Sequence, residues 1–157
     1  MSKEDIIYRK VLKDVLNMNL ENTDLTPEDI KVETLVEKAI AKVGKLKWVG
    51  GENEPYDFED GSDAKTSSVT ATWSGQITGT ETKEGALRCV VTNEASPNEI
   101  DYFYIPVKAV RKLEKSNGSK AKKGIKYSYN PEKDTYTQLE EFRVNNFKEL
   151  SNYGNKG

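Results

Sequence analysis

The chain of 157 residues carries 24 basic and 26 acidic side chains, a formal net charge of −2, one cysteine and no histidine. That length suits one domain, 1–157, with a modest core. The composition excludes an intrachain disulfide, Ser-His triads, histidine-bound zinc and histidine general bases, so acid–base work falls to carboxylates, lysine, tyrosine or metal-bound water.

Residues 3–19 read as an amphipathic helix, with Ile6, Ile7, Val11, Val15 and Leu16 at helical spacing. Thr26 followed by Pro27 marks the start of a second helix. It runs to about Val43, with Val32, Leu35, Val36, Ile40 and Val43 on one face and Gly44 as its C-cap. Together these form a helical N-terminal part, 1–45, ahead of a sheet region, 46–138. Leu46 to Val49 reads as a short strand, and Tyr56–Asp60 with Asp63–Trp73 as a hairpin around Gly61-Ser62. Ser74 to Gly85 reads as a loop or edge. Ala86–Asn93 and Ile100–Val107 are apolar at adjacent as well as alternate positions, as central strands are. Ser116–Gly124 reads as a lysine-rich loop, and Ile125–Asn130 with Asp134–Gln138 as a hairpin around Asn130-Pro131. Leu139–Leu150 reads as a helix in a C-terminal part, 139–157. Trp48, Trp73, Phe103 and Tyr104 are expected in the core, and Cys89 is expected to be a buried structural thiol. Helices, then strands, then a helix indicate an α+β fold with a mixed sheet. The chain has no long apolar run and a polar N-terminus, so the expectation is a cytoplasmic protein with no membrane span and no signal peptide.

Charge is segregated along the chain. Residues 50–63 hold six acids and no base, whereas residues 108–126 hold eight bases and one acid. An enzyme acting on a polyanion with a metal would use such a division, although solvated loops also produce it. The acidic segment contains Asp63-Ala64-Lys65. An acid two residues before a lysine occurs three times in the chain, also at Asp29-Ile30-Lys31 and Glu81-Thr82-Lys83, about as often as random placement gives. Only Asp63-Ala64-Lys65 follows a tight turn, opens a strand and has another acid just before the turn. Residues two apart on a strand project to one face, which puts Asp63 and Lys65 together. Two neighbouring carboxylates can hold a hard divalent cation, and a lysine beside it can orient a water or stabilise charge on a phosphate.

The run Asp57-Phe58 through Lys65-Thr66, with its short gap from Asp57 to Asp63, resembles the active-site hairpin of the PD-(D/E)xK nucleases. That superfamily includes many type II restriction endonucleases and the mismatch-repair strand-nicking endonuclease. The resemblance implies a restriction-endonuclease-like mixed central sheet flanked by helices, and a Mg²⁺-dependent DNA endonuclease for which Mn²⁺ can substitute. It makes Asp57, Asp63 and the Ala64 carbonyl the metal ligands, and Lys65 the catalytic lysine that positions water for in-line attack. Glu37 is the expected extra acid from the preceding helix, with Glu33 one turn earlier as its rival. Asp60 competes with Asp57 as first acid, because the strand register is open. The second acid is Asp63 where glutamate is commoner in the family. Lys112, Lys115, Lys120, Lys122, Lys123 and Lys126 are expected to grip phosphates from a loop over the DNA groove, and a homodimer would match two-fold DNA symmetry.

A non-catalytic DNA-binding module or phage-type inhibitor is the alternative. It would use the same basic loop, with Tyr127, Tyr129 and Tyr136 stacking or touching phosphates, and would not need Lys65. Arg88 is read as either an edge contact or a reach to phosphate, and Thr66, Ser67 and Ser68 as candidate phosphate contacts. Calcium binding by the acidic run fails the EF-hand pattern.

Overall fold

A computed structural model of the chain describes residues 32–49, 56–78, 80, 85–116 and 124–153. The helix expected over 3–19, and the capped start of the second helix, lie outside these residues. In chain order the elements are α1 (Val32–Gly44), β1 (Asp63–Ser68), β2 (Ser74–Thr78), β3 (Leu87–Thr92), β4 (Ile100–Ile105), α2 (Val107–Ser116), β5 (Gly124–Asn130), β6 (Thr135–Thr137), β7 (Arg143–Val144) and α3 (Phe147–Asn152). Strands form two sheets, one in the order β1-β3-β4-β7 and one in the order β2-β5-β6. The first is mixed: β1 runs parallel to β3, while β3–β4 and β4–β7 are antiparallel. The protein is therefore α+β with a mixed sheet.

The mixed sheet is covered on both faces, as the unbroken apolar runs of β3 and β4 require. Val90 and Tyr102 face a cluster built from Val36, Ala39 and Ile40 of α1, Phe58, and Phe147 and Leu150 of α3. The alternate positions Leu87, Cys89, Val91, Phe103 and Ile105 face Ile77, Ile125, Tyr127, Tyr129 and Tyr136 of the second sheet, with Val110 and Leu113 of α2. Gly44 lets α1 approach α3, since a Cβ there would lie 2.0 Å from the Ser151 carbonyl oxygen.

Several expectations are corrected. Tyr56–Asp60 does not pair with the strand that follows it. Phe58 instead makes an isolated antiparallel bridge back to Trp48, and a tight turn (Gly61 N–H to the Phe58 carbonyl, 2.9 Å) carries the chain into β1. Asp63's strand ends at Ser68 rather than Trp73. Ser74–Thr78, read as loop or edge, is a strand paired with β5. Val107–Ser116 is a helix, where a strand end and a basic loop were expected. Leu139–Leu150 is not one helix: a 3-10 turn (Glu140–Phe142) leads into β7, and α3 starts only after Asn146, whose side chain caps it by accepting from the Glu149 N–H (2.8 Å). Trp73 lies at the surface, 46 % exposed, not in the core.

Candidate functional site

The acidic site is built where β1 begins. Both aspartates brace the turn: the Asp57 N–H donates to Asp63 Oδ1 (2.8 Å), and the Ala64 N–H donates to Asp57 Oδ2 (2.9 Å). The Asp63 N–H donates to the Ala86 carbonyl (2.9 Å), which ties the same point to the residue before β3. Gly85 permits that approach, because a Cβ there would meet the Gly61 carbonyl oxygen at 1.9 Å.

Glu37 comes from α1 and bears on Asp57. Its side chain is aimed by Trp48, whose Nε1–H donates to Glu37 Oε1 (3.0 Å). Burial pushes the Asp57 carboxyl above the ordinary aspartate range. Hydrogen bonds from the Ala64 N–H and with Asp63 pull it back, and the Glu37 carboxylate pushes it up further. Glu33, the rival acid, also lies on α1, but its side chain is outside the described residues.

Lys65 stands two residues beyond Asp63 on β1, opposite Cys89 of β3. Cys89 is fully buried; burial pushes its thiol up to about 12, with the nearby charge of Lys65 acting in the other direction. The thiol is thus the inert structural group expected. Ala64 turns to the other face and packs against the α1 cluster.

Asp60 does not join this group. Burial raises its carboxyl, but the Ser62 hydroxyl and N–H and the Arg88 guanidinium outweigh that and hold it below the usual range. Arg88 is fully buried. It donates to Asp60 Oδ2 (2.9 Å), Ser62 Oγ (3.1 Å) and the carbonyls of Leu150 (2.7 Å) and Tyr153 (2.9 Å). Arg88 is therefore neither an edge contact nor a reach to phosphate. It fastens the Asp57–Asp63 turn to the end of α3.

The basic residues do not form one loop. Lys112 is exposed on α2, and Lys126 is exposed on β5 opposite Gln76. Lys115 lies within α2 with its side chain outside the described residues, and Lys120, Lys122 and Lys123 lie outside them altogether. Arg111 turns inward, donating to Glu114 Oε1 (2.6 Å) and the Thr80 carbonyl (3.0 Å). Tyr127, Tyr129 and Tyr136 are buried in the core, so they are not stacking surfaces. Ser67 is buried against the Tyr127 hydroxyl (2.6 Å), and the Ser68 and Thr92 hydroxyls bond each other.

A hard divalent cation matches this donor set in chemistry. Magnesium is commonly held by one or two carboxylates together with waters and substrate phosphates, which is what Asp57 and Asp63 can offer. Among the described residues no group of three or more His, Cys, Asp or Glu side chains is placed to hold a metal ion. Sequence reasoning did not find the positioning role of Trp48, whose partner is eleven residues away across the α1 turn; no local pattern signals it. It also missed a second acidic cluster. Asp101 of β4 accepts from Arg143 (2.8 Å) and from the Tyr136 hydroxyl, while Arg143 also holds Asp134 (3.2 Å). Among the described residues no helix is long and apolar enough to cross a membrane. No protein-family model and no curated protein matches this chain.

Proposed function

We propose that this chain is a Mg²⁺-dependent DNA endonuclease related to the PD-(D/E)xK nucleases, acting in the cytoplasm. The observation that carries the reading is the pair of bonds at the head of β1, Asp63 accepting from the Asp57 N–H and Asp57 from the Ala64 N–H, with Glu37 set against Asp57 and Lys65 on the strand face of Asp63. Asp57, Asp63 and the Ala64 carbonyl would hold the cation, and Glu37 would adjust the charge around it. A bound Mg²⁺ supplies Lewis-acid polarisation of a phosphate and acidifies a coordinated water. The Lys65 ammonium orients the attacking water and offsets negative charge developing on the phosphate. Trp48 keeps Glu37 in place, and Arg88 keeps the turn that carries both aspartates closed. A homodimer would present one such site to each strand of a duplex.

The test is cleavage of supercoiled plasmid with Mg²⁺ or Mn²⁺ by wild type beside Lys65→Ala. Metal-dependent nicking or linearisation, lost in the variant while DNA binding persists, is the expected result. One observation favours the alternative of a non-catalytic DNA-binding module or phage-type inhibitor: each aspartate already serves the loop by accepting a backbone N–H, a use that needs no metal. Intact plasmid with equal DNA binding by both proteins would select that alternative.

A further inference from the structure

Trp73 is placed where folding alone does not explain it. The residue is 46 % exposed, and its backbone is left-handed with φ 61°. Five non-glycine residues have positive φ among the described residues, and Trp73 is the one aromatic among them. A bulky side chain rarely takes this conformation, and it persists only where the surroundings enforce it. Here they do. The Trp73 N–H donates to the Thr70 carbonyl (3.0 Å), its carbonyl accepts from the Tyr129 N–H (2.8 Å), and the Thr70 N–H donates to the Ser74 carbonyl (2.8 Å). Had β2 simply continued backward, strand alternation would have put residue 73 on the buried side of Ile77. The left-handed residue breaks that alternation and leaves a large aromatic ring at the surface on a clamped turn.

The sheet beside it carries a second observation. The outward side chains of β2, β5 and β6 include Gln76, Thr78, Lys126, Ser128 and Thr137, all exposed. They are hydroxyls, an amide and a lysine, with no carboxylate among them. Such a surface suits phosphate and sugar contacts that carry no sequence information. Its β2 edge borders the strand of the acidic site, whose Asp63, Lys65 and Ser67 lie on the face of β1 turned to the inner side of this sheet. β2 runs back along β1, where Ser67 Oγ donates to the Gln76 carbonyl (3.0 Å), and Lys126 pairs opposite Gln76. Two residues before Ser67 on the same face of β1 is Lys65.

We propose that Trp73 is a stacking platform for an unpaired base, and that a single-stranded DNA segment runs from it along the outer face of the β2-β5-β6 sheet and over its β2 edge toward Asp63 and Lys65. This rests on the nuclease reading and narrows its substrate to DNA with unpaired bases. In a duplex the base faces are already covered by their neighbours, so an indole on a rigid turn fits a single strand, where base–aromatic stacking is tolerant of sequence.

The test is fluorescence anisotropy of labelled oligo-dT, and of a duplex of mixed sequence, in EDTA. The proteins are wild type, Trp73→Gly, Trp73→Phe and Lys126→Glu. Wild type should bind the single strand more tightly than the duplex, with quenching of tryptophan emission. Trp73→Gly should weaken single-strand binding by about 5- to 150-fold, Trp73→Phe by less, and Lys126→Glu should weaken it with a reduced salt dependence. Glycine accepts the left-handed backbone, so Trp73→Gly should keep the wild-type circular dichroism spectrum and a cooperative melt. Wild-type affinity in Trp73→Gly, tighter binding of duplex than of single strand, or no oligonucleotide binding by folded wild type would each overturn the proposal. Because these titrations contain no metal, they are separable from catalysis. Binding through Trp73 with no cleavage under Mg²⁺ or Mn²⁺ would defeat the nuclease reading alone. Cleavage with Trp73→Gly still binding normally would defeat this proposal alone.

Discussion

Asp57 and Asp101 are both withdrawn from water at the edges of the same molecule, but they meet opposite company. Asp101 is 2 % exposed and is answered by the Arg143 guanidinium (2.8 Å), the Tyr136 hydroxyl and the Asn98 amide (3.3 Å). The response is mutual: burial alone would lower Arg143, but the charges of Asp101, Asp134 and Glu140 hold it above its ordinary range. Tyr136 is pushed far up by burial and by Asp101, and Tyr129, beside Asp134, rises to about 12, again with burial as the largest cause. This is an ion-pair and hydrogen-bond cluster that holds β4, β6 and β7 together. Asp57 is instead set against a second carboxylate, Glu37, in a half-buried position that raises its pKa. A fold gains from the first arrangement and loses from the second, and like charges brought together without benefit to stability are a mark of functional sites.

The comparison can be broken from either side. The largest effect is expected at Lys65: Lys65→Ala should lower metal-dependent cleavage about 1000-fold, the scale at which a single electrostatic contact to the transition state acts, with DNA binding retained in gel-shift titrations. Next is Asp101→Asn, which removes the most buried of the three acids that hold Arg143, leaving Asp134 and Glu140, and should cost about 2 kcal/mol in denaturant unfolding. Tyr136→Phe removes one hydroxyl shared by Asp101 and Asn93 (2.8 Å), and should cost about 1–2 kcal/mol by the same measurement.

Asp57→Asn should have the smallest effect on stability, and of the opposite sign. The folded state holds the Asp57 proton more tightly than the unfolded chain does. Wild-type Asp57 therefore favours folding below its unfolded pKa and loses that contribution as pH rises through the raised folded value. Asparagine has no such dependence and can still accept from the Ala64 N–H. The variant should thus melt above wild type at neutral pH, with the difference vanishing in acid, while cleavage is lost. A thermal melt series across pH checks the sign: a variant less stable at neutral pH would show that the carboxylate supports the fold.

Much of this was legible in the sequence, for reasons that are local. β3 and β4 announced themselves by continuous apolar runs, α1 by helical spacing, and the β5–β6 hairpin by Asn130-Pro131 between alternating aromatics. What failed depended on distant partners. β2 reads as loop because Gly75 interrupts it, yet the glycine is required: a Cβ would lie 2.4 Å from the Tyr127 hydroxyl. α2 was hidden by its lysines, although Pro106 before it and the spacing of Val110 and Leu113 were signals, as was Asn146 three residues before Glu149 for α3. Within the candidate site, Asp63 and Lys65 share a face by strand period alone. The choice of Asp57 over Asp60 beside Asp63 could not be read, because it turns on Arg88, buried 28 residues further along and holding Asp60 away.

The central claim is that the Asp57–Asp63 pair is shaped for a cation, and the most direct test is thermal unfolding of wild type and Asp57→Asn across a Mn²⁺ titration at neutral pH. A ligand that binds the folded state alone stabilises it by about 2.7 kcal/mol at a hundredfold excess over its Kd. Wild type should melt progressively higher as Mn²⁺ is added, and Asp57→Asn, though more stable without metal, should not respond. An equal response in both proteins, or none in wild type, would contradict the account and leave the two aspartates as a clamp on the turn.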